Sequence, residues 1–369
     1  MANKKELISV FSPAEGATLY SSSLGNILIG CPPEILKALL KSHLPMPDTI
    51  VIPGTMYKDA SSQACLEFPF YHFLFIQQGL ARGKKLKVFA EKATCIKLVD
   101  MLRVTLVGPN EKEALEAEEK INIPKATDKQ KIKQIIKETK YLALKKNNGD
   151  IYAIDEMIEF IPLKIGDKEQ VYPAFEDHPK ITIHRTDKDD YTLECEKKYH
   201  CSNKYNDVQH PPYKIKAIKT TKKELSGENT LNIRCLGASE GFDPIQPSNG
   251  FLLRMNGKWI LWDCPAYLNL HLDAIGISYN DIDAIFISHI HEDHLDIMQS
   301  VRQNSKTELY TTPEIFHCMT LKLLTVLNCS YDKATSYYHY NPIYVNRPFE
   351  LFNSKFEVFY SVHSIPALG

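Results

Sequence analysis

Ala284-Ile285-Phe286-Ile287-Ser288-His289-Ile290-His291-Glu292-Asp293-His294 decides how this chain is read. Its first four residues form an apolar, partly β-branched run, the pattern of a short strand buried on both faces. The three histidines and the aspartate therefore fall where a strand ends and the chain turns. Three of the chain's 13 histidines lie between positions 289 and 294. His289 and His291, two residues apart, can converge on one metal ion from a loop, and Asp293 and His294 then point towards a second. Imidazole with carboxylate suits zinc, manganese or iron better than calcium or magnesium. The competing reading is a solvated polar loop that happens to be rich in histidine.

The 369 residues are enough for two ordinary domains. An apolar content of 44% and a charged content of 24% describe a soluble globular protein. The formal net charge of -1 excludes a global basic field for nucleic acid and leaves local patches open. No long apolar segment follows Lys4 and Lys5, so no signal peptide is expected, and no run approaches membrane-spanning length. The cysteine count of 9 is odd and no C-x-x-C pair occurs, which points to reduced thiols in a cytoplasmic protein.

Taken in order, the chain alternates strand and helix signals. Strands are expected at Glu6 to Phe11, up to Ile29, at Asp48 to Pro53 and at Leu86 to Phe89. Helices are expected from Pro33 to about His43, since proline favours the first helical position, and from Ala93 to Leu102. The later chain repeats this shape. Gly257 to Leu268 matches Gly25 to Leu36, down to Cys31-Pro32 and Cys264-Pro265; Asp283 to Ser288 matches Asp48 to Pro53; Leu309 to Glu314 matches Leu86 to Glu91. Three matches in one order point to an internal duplication. Under this alignment Gly54, Met56, Lys58 and Asp59 stand opposite His289, His291, Asp293 and His294, and Gly30 stands opposite Asp263. The first copy, 1–225, is then a degenerate one without metal ligands that packs on the active copy or shapes a substrate surface. The second runs over 226–369.

Between them, Glu111 to Lys120 and Asp128 to Lys146 are helical in character. Ile132, Ile135, Ile136 and Tyr141 are spaced for one apolar face. The lysines from Lys129 to Lys146 read as a solvated helix face in preference to a phosphate-binding surface. Short strands are expected from Ile151 to Ile183. Cys195, His200, Cys201 and His210 match no zinc spacing and read as an exposed loop. Lys214 to Asn229 makes a linker.

In the second copy, Phe251 to Arg254 pairs with Trp259 to Trp262 across the hairpin signal Asn256-Gly257. Asp263 ends that strand; it can orient the histidine loop by hydrogen bonds or cap the helix that follows, and both readings stay open. Phe356 to Val362 reads as a strand that delivers His363.

H-x-H-x-D-H after an apolar strand resembles the signature of the metallo-β-lactamase superfamily. Members that bind diiron for redox chemistry carry Glu where this chain has His291, so the hydrolase form is the one matched. The opening Leu236-Gly237 is similar to the ribonuclease Z branch, and His363-Ser364-Ile365-Pro366 resembles nucleic-acid-processing members such as ribonuclease J. A degenerate copy before an active one is similar to long-form ribonuclease Z. The resemblance implies an α/β fold, an αββα sandwich present as two tandem copies. It implies two divalent metals, zinc ahead of manganese or iron, with His289, His291 and His363 on the first and Asp293 and His294 on the second, Asp293 also steering the attacking water. A complete superfamily domain continues past this histidine, so the second copy is expected to be incomplete. A longer natural protein is the favoured explanation, ahead of a partner chain, a homodimer among them, or the first copy's strands. The implied function is a metal-dependent hydrolase, a phosphodiesterase acting on RNA or a smaller nucleotide. The alternatives are a thioester or lactone hydrolase on the same site and a non-catalytic ligand-sensing or scaffold module.

Overall fold

The computed structural model describes residues 7–58, 61–203, 210–216, 231–296, 301 and 307–369. They form two compact units, the first Met1–Val99 with Ala153–Pro212, the second Asp100–Tyr152 with Tyr213–Gly369. No helix among the described residues is long and apolar enough to cross a membrane.

The first unit is built on a six-stranded sheet: β1 (Ser9–Ala14), β2 (Ala17–Ser21), β3 (Asn26–Ile29), β4 (Thr49–Val51), β5 (Leu86–Ala90) and β6 (Ile158–Pro162), in that spatial order. The first two pairings are antiparallel and the last three parallel. Helix α1 (Ile35–Lys41) follows β3, and α2 (Lys92–Leu106) follows β5. A second, four-stranded antiparallel sheet holds β7 (Lys168–Tyr172), β8 (Ile181–Arg185), β9 (Asp190–Glu194) and β10 (Lys198–Ser202). Ile27, Ile29, Val51 and Phe89 pack with Val171, Ile183, Tyr191 and Leu193 in one core. Their neighbours Leu28, Ile50 and Val88 are just as buried, and by strand alternation they face the other way. Burial of both faces is why these strands read as unbroken apolar runs.

The second unit repeats that sheet strand for strand: β11 (Asn232–Gly237), β12 (Gly250–Met255), β13 (Lys258–Trp262), β14 (Ala284–Phe286), β15 (Thr307–Thr311) and β16 (Tyr338–Pro342). Two antiparallel pairings again precede three parallel ones. Local details repeat too. Gly30 N–H donates to Val51, and Asp263 N–H to Phe286, each at 2.9 Å. Both residues are left-handed, at φ 84° and 59°. Cys31 bridges Ala64 as Cys264 bridges Leu295.

Those paired bridges correct the loop register expected from sequence. The chain between β4 and Ala64 is longer than that between β14 and Leu295, and holds a small hairpin of Tyr57–Lys58 with Ser61–Ser62. The bridges set Gln63, rather than Asp59, opposite His294; Asp59 itself lies outside the described residues. At the loop's start, a Cβ on Gly54 would lie 2.5 Å from Arg185 Nη2. The Arg185 guanidinium, 2% exposed, fills this space and donates to the carbonyls of Leu163 (3.0 Å) and Lys188 (2.7 Å) and to Glu91 (2.8 Å).

The unit boundaries also differ from a single division near residue 225. Helices α3 (Glu111–Lys120) and α4 (Lys129–Leu142) fold with the second unit. A capping box between Asn110 and Glu113 starts α3, and Asp128 caps α4. The α4 stripe of Ile132, Ile135 and Ile136 packs on Ala114, with Leu115 and Tyr360 beside it. Helix α3 packs against α6 (Pro313–Leu327), which begins on a proline and ends at left-handed Asn328. Apolar faces, and not chain proximity, decide where these helices go. Helix α5 (Leu268–Ile275) follows β13.

Arg185→Leu leaves the buried Leu163 carbonyl without this donor and removes the bonds to the Lys188 and Asp187 carbonyls and to Glu91. We expect a loss of about 3 kcal/mol, read as an earlier midpoint in urea unfolding. An unchanged midpoint would show that the guanidinium only fills space.

Candidate metal centre

Parallel pairing of β13 with β14 brings Asp263 and Ser288, one residue past β13 and two past β14, side by side. Asp263 Oδ1 accepts from Ser288 N–H at 2.7 Å. Its Oδ2 accepts from the Ser288 hydroxyl at 2.7 Å and from His294 Nδ1 at 2.8 Å. The Ser288 hydroxyl has one proton and gives it to a carboxylate that can only accept. It must then accept from His289 Nδ1, 2.9 Å away. That fixes the His289 tautomer and leaves the lone pair on Nε2, which is buried and has no hydrogen-bond partner among the described residues. The same logic puts the His294 lone pair on Nε2, 3.8 Å from Asp293 Oδ2. His291 Nε2 donates to the Thr105 carbonyl at 2.8 Å, so its lone pair is on Nδ1.

His363 completes the group, although it does not end a strand as expected. The chain past Ser354–Phe356 turns back on itself: Ser361 N–H donates to Ala367 and Gly369 N–H to Phe359, each at 2.9 Å. Pairing with its own tail is what stops the segment from extending as a strand. Leu368 N–H donates to the Ser288 carbonyl at 2.9 Å, which ties this loop to the histidine loop. His363 lies with its ring centroid 4.5 Å from His289 and 4.8 Å from His291.

Two groups of possible metal donors result, His289 with His291 and His363, and Asp263 with His289 and His294, the donor atoms in each lying within 4.8 Å of one another. Asp293 is buried at their edge and belongs to neither group. Among the described residues no group includes Cys195, His200, Cys201 or His210. Of the two readings of Asp263, the geometry is that of an orienting group: the Leu268 amide at the start of α5 is met by Asp296, at 3.2 Å.

Burial first, and then the neighbouring imidazoles, push His289, His291 and His363 below the ordinary histidine range. His294 moves the other way. Burial opposes its charge, but the hydrogen bond to Asp263 and the nearby Asp293 carboxylate outweigh it. Neutral imidazoles with tautomers set by their neighbours are what a transition-metal ion requires. The orphaned Nε2 of buried His289 has no other evident use, so the donor set fits a divalent metal.

Three contributors were not assigned a role from sequence. Ser288 sits inside the motif, but only the structure shows it linking Asp263 to His289. Lys322 on α6, 8% exposed, donates to the Ile290 carbonyl at 3.1 Å and so holds the loop between its first two histidines. Thr105 acts through its carbonyl, which no residue type announces.

The sheet order, the strand-end histidine loop and the converging His363 are those expected of a metallo-β-lactamase-like fold. Within it, residues 231–367 match the family model described as Anti-Pycsar protein Apyc1. The Paenibacillus harenae protein of that name is 31% identical over 91 residues, 25% of this chain and 38% of that protein. The cGMP-dependent 3',5'-cGMP phosphodiesterase A of Dictyostelium discoideum is 28% identical over 141 residues, 38% of this chain and 16% of that protein. The matches thus span less than two fifths of these curated relatives. The short form of human tRNase Z aligns in structure at a TM-score of 0.28 and 18% identity, over 37% of this chain and 62% of that one.

Asp263→Ala removes the acceptor shared by Ser288 and His294. Zinc affinity, measured by competition with a chromophoric chelator, should fall 10- to 100-fold. Wild-type affinity in the variant would refute the orienting role.

Proposed function

We propose that this chain is a metal-dependent phosphodiesterase acting on a 3',5'-cyclic nucleotide. The observation that carries the reading is the convergence of His289 Nε2, His291 Nδ1 and a His363 ring nitrogen, two of the three tautomers being fixed by hydrogen bonds. These three would hold one divalent ion, zinc ahead of manganese or iron. Asp293 Oδ2 and His294 Nε2, 3.8 Å apart, would form one side of a second ion's shell. Bound metal supplies an acidified water and a sink for charge on the attacked phosphoryl group. Asp293 then orients the attacking water and takes its proton on a carboxylate oxygen. Asp263 keeps His294 a strong donor by holding Nδ1.

Two observations support the substrate class. The Dictyostelium relatives are named for 3',5'-cyclic nucleotide phosphodiesterase activity. A net charge of -1 suits a small nucleotide better than a long polyanion. The first unit, with Gly54 and Arg185 where the second has its histidine loop, supports the reading of a tandem copy that has lost the chemistry.

The test is turnover of 3',5'-cGMP and 3',5'-cAMP, followed by chromatography, against a lactone and a thioester. Chelator treatment should abolish turnover of the cyclic nucleotides, zinc or manganese should restore it, and His291→Ala should lower it at least 100-fold. Cleavage of the esters alone would transfer the site to ester hydrolysis. Tight metal binding without turnover of any of them would favour a ligand-sensing module.

A further inference from the structure

Residues 100–152 interrupt the first unit in the chain and fold with the second. The turn at the end of α2 does more than connect. A helix leaves its last carbonyls without intrahelical donors. The carbonyl of Thr105 would ordinarily receive the N–H of residue 109, but residue 109 is Pro109, which has none. Gly108 before it is left-handed at φ 80° and turns the chain away from the helix. The sequence Gly108-Pro109 therefore leaves a carbonyl unfilled on a residue that is 0% exposed. His291 Nε2 supplies the missing donor at 2.8 Å. Each group satisfies the other, and the Thr105 carbonyl, on a fully buried residue, has no solvent to fall back on.

The same turn reaches the other histidine segment. A Cβ on Gly108 would lie 3.0 Å from Pro366 Cδ and 3.7 Å from Ile365, the residues just past His363. Val104 and Pro109 line a small pocket together with Ile290, Ile365 and Pro366, so the helix end abuts both loops that carry the converging imidazoles. The turn is itself held in place. Arg103, two residues before Thr105, forms a paired ion bridge to Glu113 on α3 at 2.9 and 2.7 Å, and α3 packs on α6.

We propose that Thr105–Pro109 is a positioning element of the metal centre: the Thr105 carbonyl sets the His291 tautomer so that Nδ1 faces the ion, and the Gly108 turn seats the His363 loop. The chain before residue 213 is then a working part of the site. This rests on the metal reading above and extends it to a stretch of the chain with no ligand of its own.

The test uses the full chain. Leu106→Pro pushes Thr105 out of the helical region and swings its carbonyl away from His291, whereas Leu106→Ala leaves it in place. Long-range nitrogen–proton spectra of histidine-labelled, metal-free protein should show His291 protonated on Nε2 in the wild type and in Leu106→Ala. Leu106→Pro should lose that signature and bind zinc 10- to 100-fold more weakly, with Leu106→Ala within about 3-fold of wild type. An Nδ1-protonated His291 in the wild type would overturn the proposal, and that reading needs no variant to fold. So would wild-type zinc affinity in a folded Leu106→Pro. A wild-type chain that binds no zinc while keeping the Nε2–H signature would count against the metal reading, leaving the Thr105 bond established.

Discussion

One carboxylate holds the second unit's site together. Asp263 sits on a left-handed backbone, where a side chain other than glycine carries a cost of about 1 kcal/mol. In return its two oxygens receive the Ser288 amide, the Ser288 hydroxyl and His294, and through Ser288 it sets His289. Remove it and three groups lose orientation together. The parallel pairing of β13 and β14 exists in both units; what the second unit adds is a side chain able to use it.

The first unit shows the same frame without that burden. Gly30 keeps the left-handed turn that Asp263 strains to adopt, and a Cβ there would sit 1.9 Å from the Gly16 carbonyl. At Gly54, three residues past β4 as His289 is three past β14, the Arg185 guanidinium brings a fixed positive charge and several donors. Its neighbour Thr55 is bound through backbone amide and hydroxyl to Asp189. The first unit's loop is pinned by arginine and aspartate, whereas the second unit's loop leaves the buried Nε2 of His289 without a hydrogen-bond partner among the described residues. One architecture has been settled in two chemical ways.

Much of this was legible in the residues. The parallel strands announce themselves because burial on both faces leaves no polar interruption. The Asn256-Gly257 hairpin does so because both residues must be left-handed, at φ 48° and 78°. His289, His291, Asp293 and His294 stand out by type and spacing. His363 was found through its neighbours, although the strand expected to carry it is a loop that folds on its own tail. Other features leave no such trace. The extra length in the first unit's loop leaves no mark in the residue pattern, because Met56 and Lys58 look as plausible opposite His291 and Asp293 as any others. Lys322 looks like the solvated lysine of an amphipathic helix until α6 proves buried on nearly every side. The partner of His291 is a peptide oxygen whose only trace is a proline four residues on.

The interleaving of the two units bears on how the molecule is made. Helices α3 and α4 are synthesised long before α6. Until α6 emerges the face of α3 that packs on it is uncovered, and the α4 stripe of Ile132, Ile135 and Ile136 has α3 beside it but not Tyr360. Contacts so distant in sequence close late and slow the assembly of a domain. The nascent first half therefore carries an α3 face whose partner helix is made only much later in translation.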